Sequence, residues 1–229
     1  MNFYKDILLK LKIDSLIFEK KFDSKKNQVY LVKNTNLENQ DERFVVKVYK
    51  NSQILIKELN ILRGLMEHGM RVPRVLFAGE EYILLENLPG QTLTDYFEKI
   101  EKAGLSPEHA YWAADDLCEW LYEFYETIQK ITGEKLVMKD VNLRNFIVSR
   151  DGIYGIDFEE VDIGFPEEDI GKICAFLLTY RPEFTPWKLN MAEYIRDKAT
   201  KKLNLDPNLV IDELNRELSA IKKRRKAIK

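Results

Sequence analysis

Asp140 and Asn145 lie in the run Met138-Lys139-Asp140-Val141-Asn142-Leu143-Arg144-Asn145-Phe146-Ile147-Val148, and Asp157 follows twelve residues after Asn145 in Tyr154-Gly155-Ile156-Asp157-Phe158-Glu159. An ordered Asp, Asn and Asp is the set that phosphoryl transfer from a nucleotide uses. One carboxylate orients an attacking hydroxyl and accepts its proton, while a carboxamide and a second carboxylate hold magnesium against the phosphates. Carboxylates are weak bases toward alcohols, so the first of them contributes chiefly by positioning. Arg150-Asp151-Gly152, between two short apolar runs, reads as a hairpin turn. A hairpin brings both ends of the pair to one edge of a sheet, so the two metal ligands converge.

The elements around these residues follow from apolar periodicity. Phe3, Tyr4, Ile7, Leu8 and Leu11 mark a helix over residues 2 to 12, and Leu16 to Phe22, Gln28 to Lys33 and Arg43 to Tyr49 read as strands. Asn34 to Asp41 is a polar turn. Ile54, Leu55, Leu59, Leu62, Leu65 and Met66 make a second helix that closes near Gly69, and strands follow at Arg74 to Ala78 and Tyr82 to Glu86. After Pro89-Gly90 helices dominate. One spans Thr94 to Lys102, and another starts at Ser106-Pro107-Glu108 with the serine as cap and runs to Thr132, where Gly133 ends it. Helices are also predicted from Asp169 to about Tyr180, within 187 to 204, and within 207 to 226 behind Asp206-Pro207. The expected fold is α+β. A strand-rich lobe with one internal helix occupies residues 1 to 88, a mostly helical lobe occupies 89 to 229, and together they form one domain.

Five runs in register carry a family resemblance. Beside the Asp140 run these are Lys26 to Val32, Phe44-Val45-Val46-Lys47-Val48, Leu84 to Leu93, and Ile156-Asp157-Phe158-Glu159 with Gly164-Phe165-Pro166 and Asp169-Ile170. Over roughly residues 13 to 180 the chain resembles the protein-kinase-like superfamily, most closely its small branch of aminoglycoside phosphotransferases and choline kinases. The resemblance implies a two-lobed kinase-like fold, with ATP and Mg2+ as cofactors. It implies that Lys47 contacts the α- and β-phosphates, that Glu58 (or else Glu67) pairs with Lys47, and that Ser24 and Asn27 belong to the phosphate loop. Glu86, Asn87 and Leu88 would meet adenine through backbone groups, Asp140 would be the catalytic carboxylate, and Asn145 and Asp157 the magnesium ligands. Glu159 stands where many protein kinases have glycine, near a second metal or the acceptor. Asp169 reads either as a helix cap or as a brace for the catalytic-loop backbone.

Three departures shape the reading. The loop from Phe22 to Asn27 has no glycine, Met138 stands where a histidine usually precedes the catalytic aspartate, and Asn142 stands where protein kinases place a lysine. The stretch from Asp157 to Asp169 is too short for a phosphorylated activation loop. The implied activity is ATP- and magnesium-dependent transfer of a γ-phosphoryl group to a hydroxyl of a small metabolite or sugar. The alternatives are an atypical protein kinase, an RNA-associated kinase that contacts polyanion through Lys222, Lys223, Arg224 and Arg225, and a nucleotide-binding pseudokinase that regulates a partner.

Composition bounds the rest. The chain has 229 residues and 45% apolar content, enough for a sizeable core, and 36 basic against 38 acidic side chains give no strong footprint for nucleic acid or membrane. No run approaches a membrane span, and Lys5, Asp6, Lys10 and Lys12 break up the amino-terminal apolar residues, so a cytoplasmic protein is the default. Cys118 and Cys174 are expected as buried thiols in helices, and His68 and His109 as part-exposed helix residues outside any motif.

Overall fold

The computed structural model describes residues 2–12, 15–24, 26–35 and 42–227. The chain divides into two compact units, one of Met1–Glu67 with Val72–Pro89 and one of His68–Arg71 with Gly90–Lys229.

The first unit holds α1 (Asn2–Leu11), β1 (Leu16–Phe22), β2 (Gln28–Asn34), β3 (Arg43–Val48), α2 (Ser52–Glu67), β4 (Val75–Ala78) and β5 (Tyr82–Glu86). Its strands form one antiparallel sheet in the order β1-β2-β3-β5-β4, so β3 is paired on both sides. Strand side chains alternate between faces. Phe44 and Val46 therefore join Ile7, Leu16, Val32, Tyr82 and Leu84 in one apolar cluster beneath α1, and Lys47 leaves the opposite face. Tyr82 fastens α1 by donating its hydroxyl to Asp6 at 2.6 Å. On α2 the buried stripe is Leu55, Glu58, Ile61, Leu62 and Leu65. A glutamate occupies an apolar position of that helix. Most of the predicted polar turn, residues 36–41, and Lys25 of the glycine-free loop lie outside the described residues.

The second unit begins with β6 (Gln91–Thr92) and α3 (Leu93–Lys102), followed by a 3-10 turn at Pro107–Ala110 and the long helix α4 (Tyr111–Thr132). The short strand β7 (Leu136–Val137) leads to a second 3-10 turn at Leu143–Asn145 and the hairpin β8 (Phe146–Ser149) and β9 (Gly152–Gly155). Strand β10 (Asp162–Ile163) and helices α5 (Pro166–Thr179), α6 (Pro186–Leu203) and α7 (Pro207–Ala227) complete it. Strands pair as β6-β8-β9 and as β10-β7, and α5 packs against both α6 and α7 while α6 packs on α4. The centre is aromatic. Trp120 and Phe124 of α4 stack at 5.4 Å between ring centroids, and both lie against Phe158, which follows Asp157, while Phe146, which follows Asn145, meets Trp120 edge-on at 5.5 Å.

Several expectations need correction. Ser106 does not cap a helix, because its hydroxyl bonds to the His109 ring at 3.2 Å, and the chain turns once as a 3-10 helix before α4 starts. Asp169 is not a cap either, since α5 starts at Pro166 with Phe165 at the capping position, leaving Asp169 inside the first turn and fully buried. The two-residue strands β6, β7 and β10 were not expected, being too short to show a period. His68–Arg71 lies in the range predicted for the first lobe but joins the second unit through Arg71. The Arg71 carbonyl accepts from Trp120 Nε1 at 2.9 Å and from Gly155 N at 3.2 Å, and the guanidinium pairs with Asp116. Asp116 in turn accepts the Ile153 N–H of the hairpin.

Cys118 and Cys174 are buried, unpaired helix residues, and burial pushes each thiol up to about 12. His68 and His109 are exposed, in a turn and a 3-10 turn. Among the described residues no helix is long and apolar enough to cross a membrane.

Candidate active site

In the first unit Lys47 and Glu58 form a buried ion pair. Lys47 is 6% exposed and Glu58 1%, and the ammonium sits 3.0 and 2.8 Å from the two carboxylate oxygens. The buried position of Glu58 in the α2 stripe and the outward face of Lys47 on β3 bring them together, and Glu67, the other sequence candidate, is exposed at the end of α2. Tyr49 donates its hydroxyl to Glu58 at 2.8 Å, and its ring lies 5.4 Å from the Lys47 ammonium. A lone buried charge would be costly, and the carboxylate, the hydroxyl and the ring together offset the burial of the pair. Ser24 is exposed and Asn27 is buried. Glu86 ends β5, where its N–H already bonds to the Arg74 carbonyl and its side chain pairs with the Arg74 guanidinium at 2.7 Å. Leu88, two residues further on, is half-buried.

In the second unit Asp140, Asn145 and Asp157 share one backbone framework. Asn142 caps the 3-10 turn by accepting the Arg144 N–H at 3.0 Å, and donates its amide to the Asp140 carboxylate at 2.9 Å. The Asn145 amide nitrogen donates to the Asp140 carbonyl at 2.9 Å, and the Asn145 carbonyl accepts the Ile156 N–H at the same distance. One residue beyond Ile156, Asp157 adopts a left-handed backbone at φ 67°. Its carboxylate and that of Glu159 approach within 4.8 Å. Phe146 and Phe158, locked in the Trp120 cluster, fix the residues next to both proposed ligands.

Asp169 holds the backbone just before Asp140. Its carboxylate accepts the Met138 N–H at 2.8 Å, the Lys139 N–H at 3.0 Å and the Tyr125 hydroxyl at 3.0 Å. Burial pushes Asp169 up to about 6 even though these donors and Lys172 pull it down. Lys139, immediately before Asp140, is also left-handed, at φ 63°. Such a backbone costs about 1 kcal/mol or more and persists only when its surroundings determine it. Here Asp169 takes the N–H, Lys172 donates to the carbonyl at 3.1 Å, and the ammonium pairs with Glu168 at 2.7 Å. Burial pushes Glu168 up, but Lys139, the Phe165 N–H and Lys172 together leave it below its ordinary value.

Sequence reasoning missed Tyr125, Lys172 and the Asn142–Asp140 bond. Tyr125 sits among the many aromatic residues of α4 and gave no motif. Asn142 stands out in the sequence for the lysine it replaces, although an Asn two residues before an Arg-Asn pair has the signature of a turn cap. Arg144 lays its guanidinium 5.8 Å from the centre of the Tyr180 ring, a contact that joins the turn to the end of α5.

No protein-family model and no curated protein matches the chain. Solved structures do. The gentamicin complex of APH(2″)-IIa is similar over 93% of this chain and 85% of its own, at 16% identity and a TM-score of 0.66. The amicoumacin kinase hAmiN, solved with AMP-PNP, Ca2+ and amicoumacin, is similar over 92% and 82%, at 14% identity and a TM-score of 0.63. The Plasmodium vivax ethanolamine kinase is similar over 94% and 75%, at 15% identity and a TM-score of 0.59. The fold of this chain is the kinase-like fold of these neighbours.

Proposed function

We propose that the chain is an ATP- and magnesium-dependent phosphotransferase acting on a hydroxyl of a small molecule. The single observation that carries this reading is the framework that ties Asp140, Asn145 and Asp157 together through the Asn145 amide and carbonyl. The donor set suits magnesium. With the Asn145 nitrogen given to Asp140, its oxygen remains as a neutral ligand, and Asp157 with Glu159 adds carboxylate oxygens, the hard donors this cation takes. Bound there, magnesium would neutralise phosphate charge. Lys47, paired with Glu58, would meet the α- and β-phosphates, and the carbonyl of Glu86 with the backbone of Leu88 would meet the adenine. Residues 1–88 and 89–229 thus act as one kinase-like domain.

Asp140, aimed by Asn142, accepts a hydrogen bond from the acceptor hydroxyl. The acceptor oxygen forms a bond to the γ-phosphorus as the bond to the bridging β–γ oxygen breaks. The hydroxyl proton passes to Asp140 and then to solvent, and ADP leaves. Positioning and charge neutralisation supply most of the rate in such a reaction.

The test is transfer of labelled phosphate from ATP to a panel of hydroxylated metabolites. Wild type is expected to label at least one of them and Asp140→Ala none, while Asp140→Ala still binds Mg·ATP. Equal labelling by both proteins would remove Asp140 from the mechanism, and ATP binding with no transfer by wild type would favour the pseudokinase.

A further inference from the structure

Several cations of the second unit are engaged by neighbouring groups. Lys139 is paired with Glu168, Lys172 with the Lys139 carbonyl, Lys188 with the Tyr180 and Pro182 carbonyls, and Arg225 with Glu183 and the Thr179 carbonyl. Arg144 is exposed and pairs with no carboxylate among the described residues, and the contact that places its guanidinium is the face of Tyr180. A guanidinium on an aromatic face keeps its in-plane N–H donors free for a planar or tetrahedral anion.

The direction of the side chain matters. Arg144 and Asn145 are neighbours in a 3-10 turn, where successive side chains diverge by about 120°. Asn145 turns inward to the Asp140 carbonyl and the proposed metal. Arg144 leaves on a different side, toward the end of α5, in the same turn that aims Asp140 through Asn142. Burial pushes the Tyr180 phenol up, with Asp140 adding to the rise and Thr94 and Arg144 opposing it.

We infer that Arg144 recognises the acceptor, and that the acceptor carries a carboxylate or phosphate group close to the hydroxyl that is phosphorylated. The inference rests on the phosphotransferase reading and names its substrate class. It sets this chain apart from the ethanolamine kinase among its structural neighbours, since ethanolamine is an amine.

Calorimetric binding to the full chain with Mg·ADP present provides the test. The probes are glucuronate and glucose 6-phosphate against glucose and glucosamine, sugars that differ chiefly in charge. At least one anionic sugar is expected to bind about tenfold or more tightly than glucose, the size of a charge-assisted hydrogen bond. Arg144→Gln should abolish that preference and Arg144→Lys should restore part of it, with Mg·ATP affinity unchanged within about twofold. The inference is overturned if glucose or glucosamine binds as well as the anions, or if the preference survives Arg144→Gln. A loss of ATP affinity in Arg144→Gln would also overturn it, by assigning the guanidinium to the γ-phosphate. Transfer to the same sugars is measured separately. Anion preference without Asp140-dependent transfer would defeat the phosphotransferase reading and leave the anion site standing.

Discussion

A lysine and a glutamate, both almost wholly shut off from water, meet on the free face of a central strand. Removing one partner of such a pair leaves the other charge buried, which costs about 3 kcal/mol or more, whereas replacing both by apolar groups of similar volume costs far less. Glu58→Gln is therefore expected to destabilise the fold by about 3 kcal/mol, and Lys47→Met with Glu58→Met by less than the sum of the single changes. Urea unfolding of Glu58→Gln, of the two single methionine variants and of the double variant checks this, and additive losses would show that the two side chains do not act as a unit. Glu58 was named from the family resemblance, with Glu67 as the alternative, and its burial in the α2 stripe beside Lys47 is what the sequence did not show. The third member, Tyr49, was not named, because the residue after a strand gives no sign of where its hydroxyl points.

Among the elements, the β8–β9 hairpin depends on a missing side chain. A Cβ on Gly155 would overlap the six-membered ring of Trp120. Gly155→Ala is expected to cost about 2 kcal/mol by overpacking and to loosen the neighbouring Asn145 and Asp157, so Mg-dependent nucleotide binding should weaken more than metal-free binding. Nucleotide titration with and without magnesium decides it, and equal weakening would separate the hairpin from the metal.

Helix α5 carries the pH dependence. Asp169 titrates near 6 when folded against 3.8 as its ordinary value, so the folded chain holds this proton more tightly than the unfolded one. Its contribution to stability is then fully present below about 3.8 and is lost as the pH rises through 6. Asp169→Asn should remove that component from the curve of stability against pH. Turnover should run the other way, falling as the pH drops through about 6, because the protonated carboxyl is a weaker acceptor for the Met138 and Lys139 N–H groups. An unchanged pH profile in Asp169→Asn would dismiss the brace. The helices and five-stranded sheet were legible because each repeats its apolar residues over several turns or pairs. β6, β7 and β10 were not, because two residues held by backbone pairing leave no pattern. Likewise, the aspartate that opened the predicted helix is a buried acceptor because Pro166 starts the helix three residues earlier.

At the scale of the molecule, ligand and fold are linked. Mg·ATP bound at the proposed site would stabilise the fold by about 2.7 kcal/mol at a hundred times its dissociation constant. Asp157→Ala is expected to lose the magnesium-dependent part of that rise in Tm, and Asp140→Ala to keep it. An undiminished rise in Asp157→Ala would remove this carboxylate from the metal site. The basic end of the chain also looks inward in part, since Arg225 reaches Glu183 and the Thr179 carbonyl and Arg224 reaches Glu217.

The two sulfur atoms sealed inside the helical unit provide an internal clock. With both thiols held near 12 and away from water, alkylating reagents and peroxide should pass the native protein by. Labelling of Cys118 and Cys174 would then proceed only as fast as the helices part. Its slowing by nucleotide would give opening rates from an unmodified chain, without an added fluorophore.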